Sequence, residues 1–285
     1  MYLTYIERLD QDRKRPLRAR SVLASALLGE SPPELAVRRL VRIAGFFGIN
    51  ENQARVALSR MAQRGEVTSD GAGTYALAGR LRERAVRLEV ARRALTRDFD
   101  GSWHHVVVTS TGDSAPARRA RRGALRDARL GELRDGVWLR PANLELSFAP
   151  ALPAGLEVFL SVPDGNQAQL GAWCFDLAGW ASRATALCDA LAATPLRDEG
   201  SLAAGFERDA EVLRHLQRDP LLPAELLPRE WPGDALRAAY ETFDAEYRAL
   251  LAASHRAASS REDAATQRAS RRQVRTTWVS RAAAT

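Results

Sequence analysis

From Asn50 to Arg64 the chain reads NENQARVALSRMAQR, and these residue types can read the edges of bases. Asparagine and glutamine can bond adenine, arginine can make a bidentate pair with guanine, a valine methyl can touch the thymine methyl, and serine can donate to a phosphate or a base. At about 100° per residue, Ala54, Ala57, Leu58 and Met61 fall on one apolar stripe of a helix. The opposite side then carries Asn52, Val56, Ser59 and Gln63, flanked by Arg55 and Arg60, with Arg64 at the end. Asn50 is placed to cap this helix, its side-chain oxygen accepting from the free N–H groups of the first turn. Those groups and the helix dipole also favour a phosphate there. An outward Val56 is the odd member, since a merely solvated face rarely needs one.

The elements that must position this face are legible around it. Residues 18–28 (RARSVLASALL) read as a first helix. Residues 33–46 (PELAVRRLVRIAGF) read as a second, with Ser31 as cap and prolines near its first turn. Glu51 to Arg64 supplies the third. After Gly65, EVTS and TYAL are separated by DGAG, the mark of a hairpin. Helix, helix, helix, hairpin is the order of a winged helix-turn-helix. A basic connector helix over residues 79–95 follows, and this unit is expected to span 1–97.

Charge favours a polyanion as partner for the first third. The 285 residues hold 42 basic and 35 acidic side chains, net +7. Residues 1–97 carry 19 Arg/Lys against 10 Asp/Glu, and residues 98–285 carry 23 against 25. Lys14 is the only lysine, so arginine abundance by itself reflects composition bias, but the asymmetry survives that objection. Hydrophobic residues at 46% and charged residues at 27% are ordinary for a globular protein. No apolar run approaches the ~20 residues of a membrane span, and the N-terminus lacks a signal-peptide core, so a cytoplasmic location is expected. Cys174 and Cys188 have no zinc or disulfide spacing and read as thiols in a reducing compartment.

A second unit, expected over 98–165, opens with the strand WHHVVVTS. An arginine-rich helix (RRARRGALRDARL) follows, then the strand GVWLRP and the strand LEVFLSV, whose Leu156, Val158, Leu160 and Val162 alternate to one face. NLELSFAPAL, between the last two strands, reads as a short helix truncated by prolines. The order β-α-β-β-α-β fits a ferredoxin-like domain. The rest is helical over 166–253: AWCFDLAGWASRATALCDALAA, LAAGFERDAEVLRHLQ and DALRAAYETFDAEYRALLAA, with a proline-rich connection, RDPLLPAELLPREWPG, before the last. Residues 254–285 are poor in apolar side chains and read as a disordered basic tail.

Other constellations carry less. His104 and His105 point to opposite faces of a strand and cannot chelate one metal together; one buried and one exposed imidazole is the expectation. Asp98, Asp100 and Asp113 flank the first strand of the middle unit, where small magnesium nucleases of this fold place acidic residues, though loop aspartates are commonplace. Trp138 and Arg140 share a face, so either they offer an aromatic surface beside a guanidinium to an aromatic thioester, or Trp138 belongs to the core. No phosphate-loop, dinucleotide, serine-hydrolase or zinc-protease motif is present, so neither an enzyme nor a metal site is expected.

Three stretches, FGINENQARVALSRMAQRGEV, GVWLRP after a basic helix, and RDPLLPAELLPREWPG, together resemble the PaaX family of phenylacetate-catabolism repressors. The last is similar to that family's DP-LP-x-x-LLP-x-x-WPG signature, and the resemblance spans roughly residues 15–252. It implies an α+β multidomain protein: an N-terminal winged helix-turn-helix, a central ferredoxin-like domain similar to Cas2, and a C-terminal helical domain. It implies a homodimeric repressor bound to double-stranded operator DNA and released by an acyl-CoA effector such as phenylacetyl-CoA, with no cofactor. Carried over by position, Asn52, Arg55, Val56, Ser59 and Arg60 become DNA contacts, and the wing from Gly71 to Thr74 follows the backbone. The competing classes are a winged-helix module that binds DNA or a protein partner without small-molecule control, and a metal-dependent nuclease built on the Cas2-like unit.

Overall fold

The structure, a computed structural model, describes residues 18–144, 152–254 and 256–257. Its first helix, α1 (Ala19–Leu28), buries Val22, Leu23, Ala26 and Leu27. The second expected helix begins late. Residues Glu34–Ala36 form strand β1, and α2 runs only from Val37 to Gly45. Ala36, not Ser31, is its N-cap, without a side-chain cap bond. The reason is tertiary: β1 pairs with β3, Leu35 opposite Tyr75, and the Val37 amide donates to the Gly73 carbonyl at 2.7 Å. Pairing satisfies backbone groups that an uncapped first helical turn leaves open.

Helix α3 (Glu51–Gln63) buries Ala54, Leu58 and Met61. The hairpin follows as β2 (Val67–Ser69) and β3 (Thr74–Leu77), giving a 3-stranded sheet in the order β1-β3-β2. Helix α4 (Gly79–Arg93) leaves it.

The central sheet is 4-stranded and antiparallel, built from β4 (Trp103–Val108), β5 (Gly131–Arg134), β6 (Val137–Pro141) and β7 (Leu156–Ser161) in the order β5-β6-β4-β7. The sequence reading names no strand at β5. Helix α5 (Ala115–Asp127) covers one face, where Leu125, Ala128 and Leu130 pack on Val106 and Trp138. Helix α6 (Gln167–Cys174) covers one end of the other face, over Trp103 and Leu139. A side chain at Gly131 would lie 2.7 Å from Cys174, so only glycine permits that approach. The helix expected in NLELSFAPAL falls largely on residues 145–151, outside those described; Asn143 and Leu144 are buried and not helical.

The single helix expected over AWCFDLAGWASRATALCDALAA is broken. Phe175 is extended, and Asp176 caps a new helix, α7 (Leu177–Ala192), by accepting from the Gly179 amide at 2.9 Å. Helix α8 (Leu202–Leu216) follows, and α9 occupies residues 233–254. Ser254, where the tail was expected to begin, is helical and buried, and residues 256–257 are helical too. The tail from 258 on lies outside the described residues.

One core joins the two ends of the chain. Leu23, Leu40 and Leu58 from α1–α3 belong to the same buried cluster as Leu187, Phe206, Tyr240 and Leu251 from α7–α9. Phe47 meets Phe206 edge-on at 5.0 Å, Arg42 donates to the Ser254 carbonyl at 2.6 Å, and Arg248 pairs with Glu30 at 2.8 Å. The proline-rich connection is a second joint. Asp219 accepts from the Leu221 amide at 2.9 Å and pairs with Arg237, whose Nε donates to the Ala91 carbonyl of α4 at 3.0 Å. Trp231 stacks on Trp180 at 4.5 Å, and Trp180 on His215 at 4.6 Å.

Candidate nucleic-acid interface

Helix α3 is held by its buried stripe and by its start. Asn50 Oδ1 accepts from the Gln53 amide at 2.9 Å, and Gln53 Oε1 accepts from the Asn50 amide at 3.0 Å. This reciprocal capping box fixes where the helix begins, and therefore which residues face outward. The Asn50 side-chain oxygen is thus committed to the helix start.

The outward face is as the periodicity predicts. Asn52, Ser59, Arg60, Gln63 and Arg64 are exposed, and their side chains have no bonded partner among the described residues. Val56 is 42% exposed at the centre of that face. Isolated, such exposure costs little; beside unpaired amides and guanidinium groups it leaves a surface of mixed donors, acceptors and methyls. Arg55 differs, because it pairs with Glu51 one turn back at 2.7 Å. That pair tethers Arg55 and offsets its charge, so Arg60 is the stronger candidate for contact with a base or phosphate.

The hairpin turn is closed by hydrogen bonds among its own residues. Asp70 Oδ1 accepts from the amides of Ala72 and Thr74 at 2.8 and 2.9 Å. Those bonds, Thr74's first, hold the Asp70 carboxyl below its ordinary range. Gly71 and Gly73 have φ values of 76° and 102°, a region that L side chains rarely adopt. The Thr74 amide is committed to the turn, while Gly71 is exposed at its tip.

The other singled-out residues are occupied elsewhere. Trp138 and Arg140 do share a face, but both are only 1% exposed and present no surface to a ligand. Trp138 lies in the core under α5, with the Arg126 guanidinium 5.8 Å from its ring centre. Arg140 donates to the Pro141 carbonyl at 2.9 Å and to Asn143 at 3.0 Å, and burial lowers its pKa to about 9. His104 and His105 are both half-buried rather than one in and one out; His105 lies 3.0 Å from the Ser161 hydroxyl. Asp100 accepts from the Ser102 amide at 2.9 Å, and Asp113 is held by Arg121 and the Ser110 hydroxyl. Among the described residues no cluster of His, Cys, Asp and Glu could hold a metal ion, and no helix is long and apolar enough to cross a membrane.

Two features were not found from the sequence. Strand β7 is an edge strand on which Val158, Phe159 and Leu160 are 44%, 55% and 63% exposed. The expected alternation holds in register, with Val158 opposite Val106 and Leu160 opposite His104, yet neither side chain is buried. The apolar alternation of LEVFLSV marked the strand but not its exposure. The second is a set of arginines where α4, α5 and α8 meet, drawn from elements far apart in the sequence.

Comparison with known proteins agrees with this arrangement. A family model described as PaaX-like protein matches residues 18–81, which contain α1–α3 and the hairpin. The model for the PaaX-like protein C-terminal domain matches residues 178–260. No curated protein matches the chain. Among solved structures it is similar to the uncharacterized protein Rv0674 from Mycobacterium tuberculosis, with 38% identity over 83% of this chain and 98% of that one, and a TM-score of 0.64. Matched at both ends, the chain belongs to the PaaX-like family.

Proposed function

We propose that the protein is a DNA-binding transcriptional repressor of the PaaX type, acting on double-stranded operator DNA. The observation that carries the reading is the outward face of α3. Asn52, Ser59, Arg60 and Gln63 are exposed and unpartnered around an exposed Val56, on a helix whose start is fixed by a capping box. In this reading residues 1–97 form a winged helix-turn-helix with α3 in the major groove and the Gly71–Thr74 turn against the backbone. Residues 98–165 form a ferredoxin-like, Cas2-like unit, whose strand order β5-β6-β4-β7 supports it. Residues 166–253 are the helical C-terminal part.

The open β7 edge is the seam of a homodimer. An edge strand can pair antiparallel with its own copy about a two-fold axis, and the flanking strand then partly shields the exposed Val158, Phe159 and Leu160. Two α3 helices then meet half-sites about 10 bp apart or a multiple of it. An acyl-CoA of the phenylacetyl-CoA type is the effector, binding one arrangement of the dimer better than the other and so shifting it off the operator.

Band shifts at fixed salt test this. Val56→Ala and Arg60→Ala should each weaken operator binding by about tenfold or more while leaving binding to unrelated DNA within about threefold. Arg55→Ala should do less, because Glu51 already offsets that charge. Uniform weakening on all sequences, or no operator preference in the parent protein, sinks base reading. Operator affinity unchanged by saturating phenylacetyl-CoA and other acyl-CoA esters sinks the effector assignment alone.

A further inference from the structure

Most of the buried and half-buried arginines among the described residues reach a carboxylate. Arg39 pairs with Glu30, Arg121 with Asp113, and Arg248 with Glu30 and Asp244. The junction of α4, the C-terminal end of α5 and the C-terminal end of α8 is different. Arg84, half-buried, bonds only the neutral amide oxygen of Gln217, at 3.3 Å. Arg87, also half-buried, and the exposed Arg214 have no hydrogen bond or ion pair among the described residues. Arg129 donates to the Asp219 carbonyl, while the Asp219 carboxylate is taken by Arg237.

These groups are electrostatic neighbours. Arg84 feels Arg87, Arg214 and Asp127, and Arg129 feels Arg87, Arg237 and Asp219. Desolvation is the largest influence on both, and it lowers Arg129 to about 10. Arg214 has Glu211 and Glu207 in reach, but Glu211 already holds Arg183 and Arg208. Guanidinium charge taken from water without carboxylates is unfavourable unless something anionic supplies the missing partner.

We propose that this junction is a binding site for the phosphate groups of a small molecule. Arg84 and Arg87 lie one turn apart on α4, Arg84 and Arg129 both bond the Gln217–Asp219 segment that ends α8, and Arg214 lies one turn before it, so several planar forks are available to a multiply charged oxyanion. A carboxylate would satisfy one guanidinium; a diphosphate matches the excess. The site joins the helix that leaves the DNA-binding part to the helices of the C-terminal part, so occupancy tightens or resets that joint. The inference goes beyond the DNA-binding reading and does not depend on it. Only the identity of the natural ligand rests on the effector assignment, a CoA ester carrying phosphates of this kind.

The test uses the full chain without DNA and sodium pyrophosphate as probe, by calorimetric titration and thermal melting, against sodium chloride at matched ionic strength. Pyrophosphate should bind and raise the melting temperature where chloride does not. The double variant Arg87→Ala/Arg214→Ala, which removes no protein–protein bond, should lose at least about tenfold in affinity. Arg119→Ala, on the exposed face of α5, should bind as the parent does. No binding beyond chloride, or equal binding by the double variant, overturns the site. Pyrophosphate binding lost in the double variant, with operator affinity insensitive to acyl-CoA, leaves the site standing and removes the effector reading.

Discussion

At the scale of single residues, what matters is which side chains are left without partners. On α3 the unpartnered groups are exposed, and water satisfies them at no cost. Two buried groups titrate in opposite senses. His215, stacked on Trp180 with Nε2 3.1 Å from that residue's carbonyl, is lowered by burial to about 4. The unfolded chain therefore binds more protons between about pH 4 and 6.5, and stability falls as pH drops through that window. Asp209 is raised by burial, and further by Asp244, to about 7, and its Oδ1 has no hydrogen-bond partner. The folded state there holds the proton, so this group's contribution is lost as pH rises from about 4 to 7. Asp209→Asn should accordingly raise the urea midpoint at about pH 8 and gain little at about pH 4. His215→Phe should remove up to about 3 kcal/mol of the acid-side loss. Unchanged pH profiles in both variants would disprove the assignment.

At the scale of elements, local pattern is strong where one helix face is buried and weak where a distant strand competes. Leu58 and Met61 place α3 unaided, because the stripe and the cap agree. Glu34–Ala36 look helical but extend to pair with β3, since hydrogen bonds from a partner forty residues away outweigh a helix turn that has no cap. The WPG of the linker is the same kind of case. A side chain at Gly233 would sit 2.6 Å from the Trp231 indole nitrogen and 2.9 Å from Arg237. Gly233→Ala should therefore cost about 1–3 kcal/mol by displacing the Trp231 stack or the Arg237–Asp219 pair, read as a lowered denaturant midpoint. A midpoint equal to the parent's would show that the glycine is there for another reason.

At the scale of the whole molecule, α3 and the C-terminal helices share one core, so α3 is not a freely tethered element. Any ligand that repacks α8 or α9 acts on the support of α3 through Phe206, Arg42 and Tyr240. Strand β7 is the complement, an unshared surface. For the proposed dimer, Phe159→Asp with Leu160→Asp should give monomer in light scattering with the secondary structure of the parent kept, because neither side chain is buried in one chain. A dimer that persists moves the seam elsewhere.

The sequence by itself determined α1 and α3, the outward residues of α3 and the hairpin, because each rests on contacts within a few residues, and it carried the family signature. Tertiary structure decided the rest: the strand hidden in α2's expected start, the break before Asp176, the burial of Trp138 and Arg140, the open face of β7 and the arginine junction. Each depends on which distant surface arrives to satisfy a backbone group, cover an apolar face or match a charge. Spacing along a chain cannot report that, since periodicity shows which side chains lie together on an element and not what that face meets.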